Sequence, residues 1–337
     1  MRVFIPKGYS SLLSIYDTQK AIGLLHRIFE DNLAANLNLN RVSAPLFVRK
    51  DSGINDNLNG YERPVEFEIL HAEGTAQIVH SLAKWKRLAL KRYNFFPGKG
   101  LYTDMNAVRR DEEILDNLHS VYVDQWDWEK VILESDRNLD YLKSTVMDII
   151  HALCDTQKTM KSIYPMLGQV PDISRDVSFV TSQELEDMWP DLSSKDREYE
   201  YVKDHPTTFI IGIGGKLKSG KPHDGRAPDY DDWELNGDIL VWDSLLECPL
   251  EISSMGIRVD SRALDRQLSL SGCDDRRELP YHQMLLNNEL PLTIGGGIGQ
   301  SRVSMLLLGK AHIGEVQASI WDQETVDICQ ENDIMLL

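Results

Sequence analysis

Apolar residues recur at helical spacing over residues 16–33. They are Ala21, Leu24, Leu25, Ile28, Phe29 and Leu33. This spacing predicts a helix with one face packed against the core or against a partner subunit. Two more helices are predicted, over residues 81–95 with Ser81 as N-cap and over residues 140–164.

Strand-like runs occupy much of the remaining chain. They cover residues 41–48 (which include Pro45), 100–108, 120–131, 176–181, 207–213, 238–242, 250–258 and 292–298. These runs cluster without regular helical crossovers, which argues against a doubly wound parallel sheet. We therefore predict an α+β fold with a mainly antiparallel β-sheet flanked by helices. No break in composition divides the chain, so residues 1–337 are expected to form a single domain.

The net charge of the chain limits the kinds of molecule that it is expected to bind. Thirty-six basic and 53 acidic residues give a formal net charge of −17, which disfavours attraction to nucleic acid or to anionic membranes. No apolar run is long enough to span a bilayer, and no secretory signal is evident. The four cysteines stand far apart without a Cys-x-x-Cys pair, as expected for reduced thiols in the cytoplasm.

The glycine-rich stretch over residues 293–302 is typical of a nucleotide-binding turn. Its glycines are expected to adopt positive φ beside a flat ligand, with Arg302 in the first turn of an apolar helix. No register supplies the Gly-x-Gly-x-x-Gly dinucleotide fingerprint. A tight turn without a ligand is the alternative.

A second glycine-rich stretch, residues 212–222, matches most of a phosphate-binding P-loop but fails at a required position. Pro222 stands where a Ser or Thr hydroxyl would hold magnesium, and the following residues cannot begin a helix. The lysine-rich part is expected to form a solvated hairpin or a mobile flap.

Polar residues interrupt apolar strands at three places. Alternation places Gln125 and Asp127 on the same face as the preceding valines, so Asp127 either meets a cation or reaches solvent at the strand end. Asp238 and Glu251 each open an apolar run. If their strands pair, the two carboxylates converge as magnesium ligands, and otherwise they are exposed turn acids.

Cations are concentrated near these same motifs. Lys84, Lys86 and Arg87 crowd the first turns of the predicted helix 81–95, against the preference of the helix dipole, which indicates a nearby anion. The wider set is Lys86, Arg109, Arg226, Arg258 and Arg302. It suits an ATP site, although surface ion pairs would also explain each cation taken singly.

Six motifs in order closely resemble the ammonia-dependent asparagine synthetase, or aspartate–ammonia ligase, family. They are residues 80–87 (HSLAKWKR), 119–129 (HSVYVDQWDWE), 226–233 (RAPDYDDW), 235–242 (LNGDILVW), 251–258 (EISSMGIR) and the loop at Gly295. The resemblance spans nearly the whole chain. It implies an ATP-dependent ligase that makes L-asparagine from L-aspartate and ammonia.

That family resembles the catalytic core of class II aspartyl-tRNA and asparaginyl-tRNA synthetases. The shared signatures are the first helix with Pro45, Arg109 with Asp111 and Glu112, and the glycine loop with Arg302. The resemblance implies a homodimer. A full tRNA synthetase would also carry an anticodon-binding barrel before the core, whereas this chain begins almost at the first signature and is acidic, so no tRNA is expected.

The resemblance also implies the ATP contacts. ATP and Mg²⁺ would be used to form a β-aspartyl adenylate, with Arg109 clamping the α-phosphate and with Asp238 and Glu251 holding the metal. Arg302 would cover the adenine beside Gly295 and Gly297. Across the base, Val123 stands where the tRNA synthetases typically offer an aromatic ring.

For aspartate, the resemblance implies contacts from nine residues. They are Lys86 and Arg226 on carboxylates, Gln125 near the reacting group, Asp127 and Asp231 on the amino group, and Ser81, Tyr230, Ser253 and Arg258 around them. Asp56 would hold ammonium or accept its proton. No cysteine lies in a recognisable nucleophile motif, so free ammonia is the predicted donor. The alternative is another adenylate-forming ligase on this scaffold with a different acceptor.

Overall fold

A computed structural model describes residues 3–56, 58 and 62–337. The loop at residues 53–60 is therefore described only in part, with positions 57, 59 and 60 outside the described residues. The described residues form nine α-helices: α1 Ile15–Leu37, α2 Ala83–Arg92, α3 Leu139–Ile163, α4 Ser182–Met188, α5 Ser194–Asp204, α6 Ser261–Leu270, α7 Pro280–Leu286, α8 Gln300–Leu308 and α9 Gln323–Glu331.

The same residues form eleven strands in two sheets. The strands are β1 Leu39–Arg41, β2 Phe47–Arg49, β3 Glu66–Ile69, β4 Ala72–Ile78, β5 Gly100–Val108, β6 Tyr122–Val131, β7 Ser178–Thr181, β8 Thr207–Ile211, β9 Asp231–Asp243, β10 Cys248–Arg258 and β11 Thr293–Gly299. The large sheet has the order β1-β5-β6-β11-β10-β9-β8-β7, and the small one has the order β2-β4-β3. In the large sheet β1 pairs with β5 and β7 with β8 in parallel, and the other pairs are antiparallel. The predicted mainly antiparallel α+β sheet is confirmed.

Alternation along β6 separates the hydrophobic core from the polar side of the sheet. Trp126 and Trp128 are fully buried in the core formed with α1, α3 and α8, and the rings of Phe29 and Trp126 lie 4.6 Å apart. Successive side chains of a strand point to opposite faces, so Gln125 and Asp127 lie on the other face. That face carries α2 and the candidate site.

The start of α2 differs from the prediction. The helix begins at Ala83, with Leu82 as N-cap and no side-chain capping bond. Ser81 is therefore one residue before the cap. Its hydroxyl donates to Asp56 Oδ2 at 2.8 Å and accepts a long hydrogen bond from Ala83 N at 3.4 Å.

The predicted strand over residues 41–48 is also corrected. It is divided into β1, in the large sheet, and β2, in the small sheet, with Pro45 between them. Proline lacks the N–H that would continue a ladder, which explains why the chain leaves one sheet here and enters another.

The glycine-rich stretch is a regular strand rather than a turn. Its glycines, Gly295, Gly296, Gly297 and Gly299, lie in β11, and none has positive φ. The prediction of positive φ was wrong. Close cross-strand packing requires glycine at positions 295, 296 and 297: a Cβ at Gly296, for example, would lie 2.6 Å from Met255 Cβ. Arg302 does lie in the first turn of α8.

Several elements were not predicted, namely β3, β4, α4 to α7 and α9. In contrast, the expected hairpin near residues 216–222 is present, with a bridge between Lys216 and Pro222 and a hydrogen bond from Leu217 N to Lys221 O at 2.9 Å. Over the described part of the chain, no helix combines the length and apolar character needed to cross a membrane.

Candidate active site

A cavity of about 420 Å³ opens on the polar face of the large sheet. Thirteen of the predicted site residues line it: Asp56, Ser81, Lys86, Arg109, Gln125, Asp127, Arg226, Tyr230, Asp231, Asp238, Glu251, Arg258 and Gly297. They come from α2, from four strands of the large sheet and from the loops that precede or follow these elements. The fold therefore brings together residues that are up to about 240 positions apart in the sequence.

Four predicted residues do not line this cavity, namely Val123, Gly295, Ser253 and Arg302. Val123 packs against the cluster of Val79, Leu82, Met105 and Ala107. A Cβ at Gly295 would lie 2.8 Å from a terminal guanidinium nitrogen of Arg258, so this glycine leaves room for a cavity side chain. Arg302 donates to the backbone oxygen of Glu251 at 3.0 Å and lies 3.7 Å from its carboxylate.

Ser254, rather than Ser253, faces the cavity. The ladder between β9 and β10 pairs Glu251 with Leu240 and Ser253 with Ile239, so Ile252 is an extra residue on β10. Such a bulge shifts the alternation and places Glu251 and Ser254 on the same side. The hydroxyl of Ser253 instead donates to the Gly297 carbonyl at 2.9 Å.

Lys86 and Asp127 form a buried ion pair at the base of the cavity. Lys86 Nζ lies 3.2 Å from Asp127 Oδ1 and donates to the Gly296 carbonyl at 2.9 Å. Burial lowers the pKa of Lys86, and the Asp127 charge opposes this shift. Asp127 therefore meets a cation, as one of the two sequence interpretations required. A buried pair of this kind is costly to break, because either partner alone would be an uncompensated charge.

The anion expected near the first turns of α2 is supplied by the protein. Besides the Lys86–Asp127 pair, Lys84 Nζ lies 2.9 Å from Asp229 Oδ2. Arg87 donates to the backbone oxygens of Pro291 and Val259 at 2.8 and 2.7 Å. The cations of α2 are thus fixed by partners within the fold.

A second buried network surrounds Arg258. Its guanidinium binds Asp231 and lies 3.3 Å from Glu129 Oε2, while Glu129 Oε1 accepts a hydrogen bond from the Thr293 hydroxyl. Burial alone would lower the pKa of Arg258, but Asp231 and Glu129 raise it above its ordinary value. The guanidinium carbon is 5.7 Å from the Tyr230 ring centre. Arg258 is therefore held as a permanent cation.

Asp238 on β9 lies within the influence of the negative charge of Glu251 on the neighbouring strand β10. Desolvation raises the pKa of Asp238 to about 6, with Arg226 opposing the shift and Glu251 adding to it. Desolvation tends to raise the pKa of Glu251 as well, but Arg302 and nearby cations hold this pKa below its ordinary value. Arg226 binds Asp238 at 2.5 Å and also donates to Ser254. The expected convergence of the two acids is present.

The acid pair fits a metal that retains other ligands. Among the described residues, no group of three or more His, Cys, Asp or Glu side chains could hold a metal by itself. Two carboxylates offer hard oxygen ligands, which suits magnesium with water and phosphate completing the shell. A closed structural metal centre does not fit this arrangement.

Asp56 also lines the cavity and is 3% exposed. Its carboxylate accepts hydrogen bonds from Ser81 Oγ at 2.8 Å and from Leu58 N at 2.9 Å. Burial, together with the negative charge of Asp56, raises the pKa of Tyr230 well above its ordinary value. Asp56 is thus a fixed carboxylate beside the cavity.

Arg109 follows the end of β5 and lines the cavity. Its Nε is buried and has no hydrogen-bond partner among the described residues. Because an unsatisfied buried donor is unfavourable, this position fits a residue whose partner is a bound anion. Nearby, Asp111 binds Arg63 at 2.5 Å, and this pairing holds the pKa of Asp111 below its usual range.

Further lining residues were not predicted as site residues. They include Leu58, Glu62, Ala83, Asp111, Glu112, Glu113, Ile114, Asp224, Gly225, Ala227, Ser254 and Gly296. Asp111 and Glu112 were visible as part of a signature, and Ser254 required knowledge of the bulge. Ala83 and Gly296 lie in α2 and β11. The remainder lie in loops, where no periodicity identifies the side chains that face inward.

Solved structures share this fold. The asparaginyl-tRNA synthetase of Entamoeba histolytica, in complex with asparaginyl-adenylate, superimposes with a TM-score of 0.66 at 12% identity, over 90% of this chain and 66% of that chain. The asparaginyl-tRNA synthetase of Pyrococcus horikoshii gives a TM-score of 0.66 at 15% identity, over 91% and 70%. The fold is that of class II aminoacyl-tRNA synthetase catalytic cores.

Sequence relatives are much closer and extend over the whole chain. An aspartate–ammonia ligase of Clostridium perfringens is 58% identical over 337 residues, which is 100% of this chain and 99% of the relative. One from Lactobacillus johnsonii is 56% identical over 339 residues, covering 100% of both. The family model described as aspartate-ammonia ligase matches residues 16–333. The chain therefore belongs to the aspartate–ammonia ligase family.

Proposed function

We propose that this protein makes L-asparagine from L-aspartate, ammonia and ATP through a β-aspartyl adenylate. The family match over residues 16–333 supports the ligase reaction. The observation that carries the residue roles is the convergence of thirteen predicted side chains on one cavity. In the first step, a β-carboxylate oxygen attacks the α-phosphorus of ATP, and the bond to the leaving pyrophosphate breaks. In the second, ammonia attacks the activated carbonyl, loses a proton and expels AMP.

Aspartate recognition would use two of the ion pairs that line the cavity. Lys86 with Asp127 and Arg258 with Asp231 each present a positive and a negative edge. A zwitterion with two carboxylates and one ammonium complements such edges, with carboxylates on the cations and the ammonium on an aspartate. Gln125 lies beside Asp127 on the same strand face and would contact the reacting carboxylate.

The first step requires neutralisation of charge at phosphorus. Arg109, with its unpartnered buried Nε, would clamp the α-phosphate, and its fixed fork suits phosphate oxygens. Asp238 and Glu251 would hold Mg²⁺, which supplies a Lewis acid at the phosphates when bound. Arg302, which is hydrogen-bonded to Glu251, would reach the adenine and the terminal phosphates.

The second step is assigned to Asp56. Its carboxylate faces the cavity with one hydrogen bond from Ser81 and one from the backbone. It would hold ammonium or accept the proton that ammonia loses on attack. The hydrogen bonds fix its orientation, which favours a reaction in one geometry.

Oligomeric state, partners and compartment follow the same proposal. A homodimer is supported by exposed apolar side chains next to Pro45, where Leu46 is 50% and Phe47 is 42% exposed. The net charge of −17 supports the absence of a nucleic-acid partner. Four unpaired cysteines support a cytoplasmic location. Light scattering of the purified protein would measure the oligomeric state directly.

The decisive experiment is a reaction with purified protein, ATP, magnesium, aspartate and ammonium, in which AMP, pyrophosphate and asparagine are measured. Ammonium-dependent asparagine with equal AMP is the expected result. Parallel reactions contain glutamine or tRNA instead of ammonium. Product formed only with tRNA, or AMP without asparagine, would show that the acceptor is not ammonia.

The role of Asp56 is tested by separating the two steps. Asp56→Asn is expected to retain ATP–pyrophosphate exchange and to lose asparagine release, because the carboxylate acts after the adenylate forms. The matched control is Asp51→Asn, an exposed carboxylate nearby that pairs with Arg49; it should leave both activities at the wild-type level. Equal loss of both steps in Asp56→Asn would contradict the assignment.

A further inference from the structure

A buried group of charges lies directly behind the cavity wall. Asp229 is fully buried, and its Oδ2 binds Lys84 Nζ at 2.9 Å, His282 Nε2 at 2.9 Å and Arg276 at 3.0 Å. None of these four residues lines the cavity. Burial would raise the pKa of Asp229, but Lys84 and its other partners hold it below the ordinary value. The carboxylate is therefore ionised and tied to three elements of the fold.

The ammonium of Lys84 also binds the loop that precedes Asp56. Lys84 Nζ donates to the backbone oxygen of Asn55 at 3.1 Å and to that of Gly53 at 3.4 Å. The side chain of Asn55 continues this anchorage, because its Oδ1 accepts hydrogen bonds from the backbone nitrogens of Asp56 and His80, both at 2.9 Å. The backbone of residues 53–56 is thus held to α2 through one buried side chain.

Both loops attached to Lys84 continue at once into cavity residues. Asn55 precedes Asp56, while Asp229 precedes Tyr230 and Asp231. An ammonium group has three N–H donors, and here they are directed to two carbonyls and one carboxylate. Lys84 is only 2% exposed, so water does not compete for these bonds. One side chain therefore sets the relative position of the two loops.

We propose that Lys84 is a positioning residue of the active site, which through Asp229 and the carbonyls of residues 53 and 55 fixes Asp56 relative to Tyr230 and Asp231. This inference rests on the proposed function, since it assigns these loops to ammonia and aspartate. The proposed ATP contacts at Glu251 and Arg302 lie on β10 and α8, outside the two loops. Loss of the tether should therefore affect aspartate and ammonia while sparing ATP.

The test replaces Lys84 with methionine, which keeps most of the side-chain length and removes the ammonium. Lys310→Met is the matched control. Lys310 is also a buried lysine, 3% exposed, with a carboxylate, Glu315, at 3.8 Å, and it does not line the active-site cavity. Aspartate binding is measured by calorimetry without turnover. Unfolding midpoint, ATP–pyrophosphate exchange and asparagine release are measured alongside.

Lys84→Met is expected to weaken aspartate binding about tenfold and to lower asparagine release, relative to exchange, about tenfold, because small displacements of positioned groups carry large rate costs. Its KM for ATP should change by less than about twofold. Lys310→Met should lower the unfolding midpoint and keep wild-type aspartate binding. Wild-type aspartate binding and an unchanged ratio of the two steps in Lys84→Met, with only a lower midpoint, would overturn the proposal.

Asp229→Asn provides a second arm, in case Lys84→Met does not fold. It keeps the shape of the side chain and an oxygen acceptor while removing the charge that holds Lys84. Weaker aspartate binding with unchanged KM for ATP supports the proposal, and wild-type values for both overturn it. Failure of the proposed function is seen separately, because wild-type protein would then release no asparagine from ammonium.

Discussion

Gly297 is the position where the smallest change is expected to have the largest effect on aspartate. A Cβ built there would lie 2.5 Å from Gln125 Oε1 and 2.7 Å from Asp127 Oδ1. Gln125 can move, since the contact is made by the end of its side chain. Asp127 cannot move freely, because it pairs with Lys86 and accepts a 3.3 Å hydrogen bond from Leu82 N.

The size of the effect depends on which neighbouring group moves to make room for the added Cβ. Overpacking of this kind costs about 1–3 kcal/mol of folding free energy. Complete separation of Lys86 from Asp127 would cost about 3–5 kcal/mol, which is why the strand and Gln125 should yield first. Either adjustment displaces groups assigned to aspartate, and a displacement near 1 Å lowers the rate about 100-fold. That factor corresponds to about 2.7 kcal/mol of transition-state stabilisation.

The assay compares Gly297→Ala with Gly299→Ala, the same substitution in the same strand. The nearest atom to a Cβ at Gly299 is Arg302 Cβ at 3.4 Å, an ordinary contact. Gly297→Ala should lower kcat/KM for aspartate about 100-fold and remain folded, and Gly299→Ala should keep the wild-type value. A wild-type kcat/KM for aspartate in folded Gly297→Ala would refute the placement of the substrate against Gln125 and Asp127.

Three further substitutions test other parts of the protein. Arg109→Lys should lower ATP–pyrophosphate exchange about 100-fold or more, because lysine lacks the planar fork; near-normal exchange would exclude the proposed clamp. Glu251→Gln should raise the magnesium concentration for half-maximal exchange about tenfold, since one charged oxygen ligand is lost; an unchanged requirement would argue against a metal there. Burial lowers the pKa of His312 from 6.5 to about 4. As the pH falls, the unfolded chain therefore binds a proton at this histidine before the folded protein does. The folded state is thereby destabilised between about pH 6.5 and pH 4, by on the order of 3 kcal/mol. Urea unfolding at about pH 7.5 and about pH 5 should show a smaller loss for His312→Asn, which can still accept the Gly314 N–H, than for wild type.

Periodicity predicted the elements that the core depends on. The apolar positions of α1 and the alternation in β6 both appear in the structure, because each reflects which face is buried. The polar face of β6 was likewise predictable, since Gln125 and Asp127 follow from the same alternation. These features require only local sequence and the direction of the core.

What the sequence could not supply is the pairing between distant strands. The bulge at Ile252 moves Ser254 into the cavity and Ser253 out of it, and no pattern within β10 reveals an extra residue. The glycines of β11 resembled a turn because glycine permits positive φ, whereas the cause is crowding by β6 and β10 on either side. Both corrections come from neighbours in the sheet.

Charge pairing explains how a strongly acidic protein can bind an anionic nucleotide and an acidic amino acid. The net charge of −17 gives no long-range attraction for either substrate. Inside the cavity, however, Lys86, Arg226 and Arg258 are held by carboxylates on adjacent elements. Such fixed pairs act over a few ångströms and distinguish the arrangement of charges in a ligand rather than its total charge. The overall charge disfavours large polyanions, whereas the proposed site would accept a small zwitterion that fits the pairs. The selectivity of the site therefore depends on the geometry of the pairs, which is the property that Gly297→Ala disturbs without changing any charge.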